Sequence, residues 1–322
     1  MKTQSRAPVA IFAFKRLDLL RQTLQSLERC EGFDGTPLYI FSDAAKTGTR
    51  SEAGEVARLR SWLRKWASAH GAVMHEEAEN VGLRKSITTG VGTVLESHDR
   101  IIVLEDDLVL SRWFLTFMNE ALESFADRAD VFQISGYFVP TSRKLASVGM
   151  LRAPGSWGWA TWRRAWQHYR DDATQLLLEV SRRDTHAFDM NGTYSFLEVL
   201  RHNAEGSLNT WHVRWYASMF LLDGLALYPG MSLTRNVGFD KRGTHTNSSS
   251  GAQLFRRQRI VTAKVSIPDS RELASESADF VSVAEEFNRW QQHQWTKPRL
   301  FDRIRARARI ITDQMTAGRR SR

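Results

Sequence analysis

IIVLEDDLVL, from Ile101 to Leu110, is the stretch on which the reading of this chain turns. Four apolar residues, Ile101 to Leu104, lead into Glu105, Asp106 and Asp107, and Leu108, Val109 and Leu110 follow. A short apolar run of this length suits a buried strand. Three adjacent carboxylates repel one another and raise each other's pKa. Burying such charge is costly unless a cation meets it. That cation is either a basic side chain or a metal ion. Hard divalent ions take oxygen ligands and bridge them to phosphates, so Mg2+ or Mn2+ with a diphosphate is the expectation.

Around this stretch, strand-like runs alternate with helical ones, the pattern of an α/β layer fold. PVAIFAF (Pro8 to Phe14) reads as a first strand, and Leu17, Leu20, Leu24 and Leu27 then recur at helical spacing with Asp18 in the first turn. PLYIFSD (Pro37 to Asp43) is a second strand, followed by a helix around Glu55 to Ala69 and a short strand at Ala72 to Glu76. NVGLRKSITTGVGTVLESHD, from Asn80, is a helix opened by a Gly-containing turn. After the acids, Ser111 is the expected N-cap of a helix carrying Phe114, Met118, Ala121, Leu122 and Phe125 on one face. VFQISGYFV (Val131 to Val139) supplies another strand. The acids therefore fall at the carboxyl end of a strand, where open α/β sheets bind ligands.

The 322 residues are 42% hydrophobic and 25% charged, ordinary for a globular protein with a substantial core. No segment approaches the roughly 18 apolar residues of a membrane span. PVAIFAF is too short for a signal peptide and runs into Lys15-Arg16. The lone cysteine, Cys30, rules out an intramolecular disulfide and suits a reducing compartment, so a cytoplasmic location is expected. The net charge of +9 is concentrated at the end: nine basic and two acidic residues lie between Lys297 and Arg322.

IIVLEDDLVLSRWFLTFMNEAL resembles the metal-site region of GT-A-fold glycosyltransferases, above all the inverting N-acetylglucosaminyltransferase family of N-glycan processing and its bacterial relatives. The likeness runs from about Val9 to His245, and SLTRNVGFDKRGTHT is similar to that family's closing segment. It implies an α/β fold of GT-A (Rossmann-like) type, an open mixed sheet flanked by helices, with a C-terminal helical extension. The implied division is a transferase domain over 1–255, with a nucleotide-binding half to about 110 and an acceptor half over 111–255, then the extension over 256–322. It implies an inverting single displacement from a nucleotide-diphosphate sugar, a UDP-sugar, to a glycan or lipid-linked acceptor. By the same resemblance Asp107 binds Mn2+ or Mg2+, Asp106 contacts the ribose and Glu105 the donor sugar. Arg16 holds the nucleotide, Asp43 faces the uracil, and Arg84 and Lys85 lie near the diphosphate. Cations there would screen charge growing on the leaving group.

An inverting transferase needs a base for the acceptor hydroxyl. Where the eukaryotic relatives carry an Asp beside a Trp, NTWHVRWYA carries His212, whose ordinary pKa suits the task; Asp223 and Asp240 are alternatives. His245 is a further candidate metal ligand, since imidazole suits Mn2+. GSWGWATWRRAW (Gly155 to Trp166) is dense in tryptophan. Large aromatics usually fill cores, yet the glycines suggest a loop, and Trp157 and Trp159 are assigned to the acceptor pocket. From Leu300 onward, Phe301, Ile304, Ala308, Ile311 and Met315 form one helical face flanked by arginines, a basic amphipathic helix suited to an anionic membrane surface and so to peripheral contact at the inner face. Nucleic acid is not an expected partner. Two rival readings remain. A sugar-phosphate nucleotidyltransferase would share the acids, but AFKRLDLL lacks the glycines that cradle a triphosphate. A non-catalytic carbohydrate-binding protein would leave the acids without a purpose.

Overall fold

A computed structural model of the chain describes residues 6–239, 255, 257–273 and 275–296. His245, Asp240 and the basic segment from Lys297 onward lie outside the described residues. Among the described residues there are ten strands: β1 (Val9–Ala13), β2 (Leu38–Ser42), β3 (Val73–Glu76), β4 (Arg100–Glu105), β5 (Leu108–Leu110), β6 (Val131–Ser135), β7 (Val148–Leu151), β8 (Trp159–Trp162), β9 (Leu225–Pro229) and β10 (Thr234–Asn236). The helices among these residues include α1 (Leu17–Glu28), α2 (Arg50–His70), α3 (Gly82–Ser97), α4 (Phe114–Ser124), α5 (Arg163–Trp166), α6 (Ala173–Val180), α7 (Thr185–Phe188), α8 (Phe196–Ala204) and α9 (His212–Phe220), and a further helix over Ala278–Thr296.

Eight strands form one sheet in the order β3–β2–β1–β4–β8–β6–β9–β7. β1 pairs in parallel with both β2 and β4, and β2 with β3, so four strands run together. β8 runs against both β4 and β6, and β7 against β9. The sheet is thus the expected open mixed α/β sheet flanked by helices. Its chain order matters for the site. From β1 the connections step outward through β2 to β3, then return to place β4 on the other side of β1. At that switch point the loops after β1 and β4 lie side by side, where open α/β sheets bind ligands.

The helices form because their apolar residues share a face. Leu20, Leu24 and Leu27 of α1 are fully buried, each contributing about 1.5–3 kcal/mol by leaving water. α2 ends where Gly71 turns left-handed at φ 64°. The Ala278–Thr296 helix packs against β7: Phe280 is buried, and at Gly149 a Cβ would come within 2.3 Å of its ring. A second core, with Leu176, Val180, Phe188, Leu200, Tyr216 and Phe220, joins α6–α9.

Two local expectations change. The quoted run is two strands rather than one: β4 ends at Glu105, Asp106 and Asp107 turn the chain, and Leu108–Leu110 forms β5 in a separate sheet with β10. Ser111 is not the N-cap. α4 begins at Phe114, and the Ser111 hydroxyl donates to the Val261 carbonyl at 2.7 Å. Among the described residues, no helix is long and apolar enough to cross a membrane.

Candidate functional site

The turn between β4 and β5 answers the question the acids raise. Arg16, in the loop after β1, puts a single guanidinium nitrogen, Nη2, 2.6 Å from Asp106 Oδ1 and 2.8 Å from Asp107 Oδ2. The two remaining oxygens have donors as well. The Phe14 N–H reaches Asp106 Oδ2 at 3.3 Å, and the Asn236 side-chain amide donates to Asp107 Oδ1 at 3.3 Å. In this form, then, a basic side chain bridges the pair.

β10 completes the arrangement. Its pairing places Asn236 opposite Leu108, and the Val237 N–H donates to the Asp107 carbonyl at 2.8 Å. Gly238 follows; there a Cβ would fall 2.0 Å from Asp107 Oδ2 and 2.8 Å from Arg16 Nη1. Only a residue without a side chain leaves that space open. Asn236 and Gly238 belong to the quoted SLTRNVGFDKRGTHT, yet the chain's residue types gave no reason to single them out.

The cluster is electrostatically strained toward uptake of positive charge. Burial, then the charges of Asp107 and Asp106, push the Glu105 carboxyl up from its ordinary value, and Arg16 only partly opposes this. Burial and the Asp106 charge raise Asp107 likewise. Burial works against the Arg16 charge, but Asp106 and Asp107 more than offset it and hold the guanidinium protonated.

A cleft of about 420 Å3 opens beside these groups, lined by Arg16, Asp43, Glu105 and Asp106 together with Lys15, Lys46, Asn80 and the first turn of α3. Sequence reasoning missed Lys15 and Lys46. The Lys15 ammonium is held 2.6 Å from Glu52, whose other oxygen accepts the Lys46 N–H at 2.8 Å. Asp43 is tied up in structure. Its carboxylate accepts the N–H groups of Ala44, Val81 and Gly82 at 2.8–2.9 Å, and the Asn80 amide at 3.0 Å. It thereby satisfies donors at the start of α3 that the helix itself cannot.

Arg84 and Lys85 do not line this cleft. Arg84 forms an ion pair with Asp171, which also accepts the Tyr169 hydroxyl at 3.1 Å; Lys85 is exposed. Trp159 is a correction. It lies on β8 in the middle of the sheet with no exposed surface, stacked on Trp211 at 5.0 Å. A fully enclosed indole cannot meet an acceptor.

Trp157 and His212 come together elsewhere, on an aromatic pocket of about 180 Å3 with Tyr137, Phe196 and Tyr228. The Trp157 carbonyl accepts the Thr234 hydroxyl at 2.8 Å, which ties this pocket to the strand carrying Asn236. His212 Nε2 lies 2.9 Å from the Pro154 carbonyl. A carbonyl can only accept, so Nε2 carries the proton and Nδ1 is left basic. Burial lowers the His212 pKa, with the Pro154 bond partly opposing it, so the ring is neutral near pH 7.

The acids can also be tested for a metal. Among the described residues, no three His, Cys, Asp or Glu side chains converge on one point. Two do, since Asp106 and Asp107 share one nitrogen. A divalent ion that completes its shell with water and phosphate oxygens needs only one or two carboxylates. The donor set fits such an ion once Arg16 withdraws.

No protein-family model matches the chain, and no curated protein matches it. Solved structures do. The mannosyltransferase PcManGT from Pyrobaculum calidifontis, in complex with GDP-Man and Mn2+, is 14% identical at a TM-score of 0.37, over 68% of this chain and 69% of that one. GalNAc-T7 with UDP, GalNAc and Mn2+ is 11% identical at a TM-score of 0.42, over 71% of this chain and 43% of that one. TarS 1-349 from S. aureus is 10% identical at a TM-score of 0.40, over 70% of this chain and 59% of that one.

Proposed function

We propose that the chain is a glycosyltransferase that moves a sugar from a nucleotide-diphosphate donor, a UDP-sugar, to a hydroxyl of a glycan or lipid-linked acceptor. One observation carries the reading. Arg16 bridges Asp106 and Asp107 at the carboxyl ends of β1 and β4, at the switch point of the sheet, beside an open cleft that Glu105 also lines.

The nucleotide would lie toward β2 and α3, where Asn80 and the backbone ordered by Asp43 form the wall, and Asp106 would contact the ribose. The diphosphate lies toward Arg16, Lys15 and Lys46, whose charges favour a group that becomes more negative as it leaves. Arg84 joins them only by giving up Asp171. Asp107 and Asp106 would hold Mn2+ or Mg2+ in exchange for the Arg16 guanidinium. When bound, the ion supplies charge neutralisation at the phosphates. Glu105, at the cleft wall, would contact the donor sugar.

In the reaction the acceptor oxygen attacks the anomeric carbon while the bond from that carbon to the diphosphate oxygen breaks, inverting the configuration. The bonding electrons leave with the nucleoside diphosphate. The hydroxyl proton passes to His212 Nδ1, the nitrogen left unprotonated by the bond to Pro154. A screen of nucleotide sugars with Mn2+ present tests this reading. Hydrolysis or transfer of at least one donor, with release of nucleoside diphosphate and loss in Asp107→Asn, is expected. No turnover of any donor, or turnover of a sugar phosphate with a nucleoside triphosphate instead, would overturn it.

A further inference from the structure

The aromatic pocket beside His212 has a feature the transfer chemistry does not use. Tyr137 stands two residues past the end of β6, its ring 4.5 Å from that of Trp157 at 67°. Its hydroxyl is buried and, among the described residues, has no hydrogen-bond partner. Two other polar groups on the wall are committed. The Tyr228 hydroxyl donates to the Ala153 carbonyl at 2.6 Å, and Asn288 donates to the Thr193 hydroxyl at 3.3 Å. A buried phenol left unpaired is uncommon and costly, and a ligand oxygen relieves the cost.

We propose that this pocket binds one neutral pyranose ring of the acceptor, with the Tyr137 hydroxyl bonded to a ring hydroxyl. The chemistry of the wall selects that class. Among its described residues there is no Asp, Glu, Lys or Arg, so a carboxylate- or phosphate-bearing sugar would be buried without a counter-ion. Trp157 and Phe196 line the pocket; aromatic rings suit the C–H faces of a sugar, and a few placed polar groups fix its orientation. The volume of about 180 Å3 is below the roughly 300–1,000 Å3 of sites for drug-sized ligands, so it admits a single ring. His212 on the same wall offers a basic nitrogen to a second hydroxyl. That the ring belongs to an acceptor rests on the transferase reading; that the pocket takes a neutral sugar does not.

Saturation-transfer NMR on the full chain tests the proposal, using methyl glycosides of neutral hexoses, the corresponding glucuronide, and an octyl glycoside. Ring protons of at least one neutral glycoside should receive saturation, and the glucuronide should not. Tyr137→Phe keeps the ring and removes the hydroxyl, and should weaken binding about three- to tenfold. Added UDP should not displace the glycoside. Three results would overturn the inference: equal binding of the glucuronide, unchanged affinity in Tyr137→Phe, or no signal from any neutral ring. Saturation confined to the octyl chain would also overturn it and assign the pocket to an apolar tail. If nucleoside diphosphate binds and no glycoside does, only this inference fails. If glycosides bind and no nucleotide does, the transferase reading fails and the sugar site stands.

Discussion

Replacing Arg16 by glutamine leaves Asp106 and Asp107 facing each other without their shared cation. Breaking a buried ion pair by removing one partner costs about 3–5 kcal/mol. The Arg16 side chain keeps 19% of its surface exposed, against 6% and 12% for the two acids, so water softens the loss and the lower end, about 3 kcal/mol, applies. For a chain of this size each kcal/mol moves Tm by roughly 2 °C, so Arg16→Gln in EDTA should melt about 6 °C below the wild type. Mn2+ should then separate the two proteins. At about a hundred times its Kd an ion restores roughly 2.7 kcal/mol, so the variant recovers most of its loss. The wild type gains less, because the ion must first displace a guanidinium. Differential scanning fluorimetry with EDTA, Mg2+ and Mn2+ reads both effects. An unchanged Tm in EDTA, or an equal Mn2+ response in the two proteins, would refute the idea that the acids demand a cation at this point.

Other substitutions separate structural from chemical roles. Asp43→Ala strands the N–H groups of Val81 and Gly82 and should cost about 2 kcal/mol in urea unfolding; a loss of nucleotide affinity with stability intact would instead give Asp43 direct ligand contact. Trp159→Ala should cost about 3–5 kcal/mol as a core deletion, whereas Trp157→Ala should act mainly on acceptor KM; equal stability losses would contradict their separate placement. His212→Ala should lower turnover by about 10²-fold or more. His212 also sets a pH dependence. Its pKa is lowered in the folded chain, so the stability it contributes is present above the ordinary value near 6.5 and is lost as pH falls below it, where the unfolded chain takes up a proton first. Unfolding at pH 5–7 should lose part of this slope in His212→Gln; an unaltered slope would mean the ring titrates freely.

Much of this was legible in the residue pattern. β1, β2 and β4 are apolar runs that end in polar residues, and that pattern places Arg16, Asp43 and Glu105 at one edge of the sheet. The β5–β10 pair was not legible, because Leu108–Leu110 continues an apolar run and its partner lies more than a hundred residues away. Local sequence carries no record of that pairing. Trp159 misled for a related reason: glycines at Gly155 and Gly158 signal a loop, and the loop ends just where β8 enters the sheet between β4 and β6. The residue types named Asp43 and Arg16 as polar groups at strand ends. Only the fold shows that Asp43 caps the start of α3 and that Arg16 is the partner of the acids.

The most direct measurement is calorimetric titration of UDP and GDP into the full chain, with and without Mn2+, repeated on Asp107→Asn. The account predicts binding of a nucleoside diphosphate that strengthens at least tenfold with Mn2+ and loses that gain in the variant. Absence of nucleotide binding under every condition, or binding indifferent to both the metal and the Asp107 carboxylate, would contradict it.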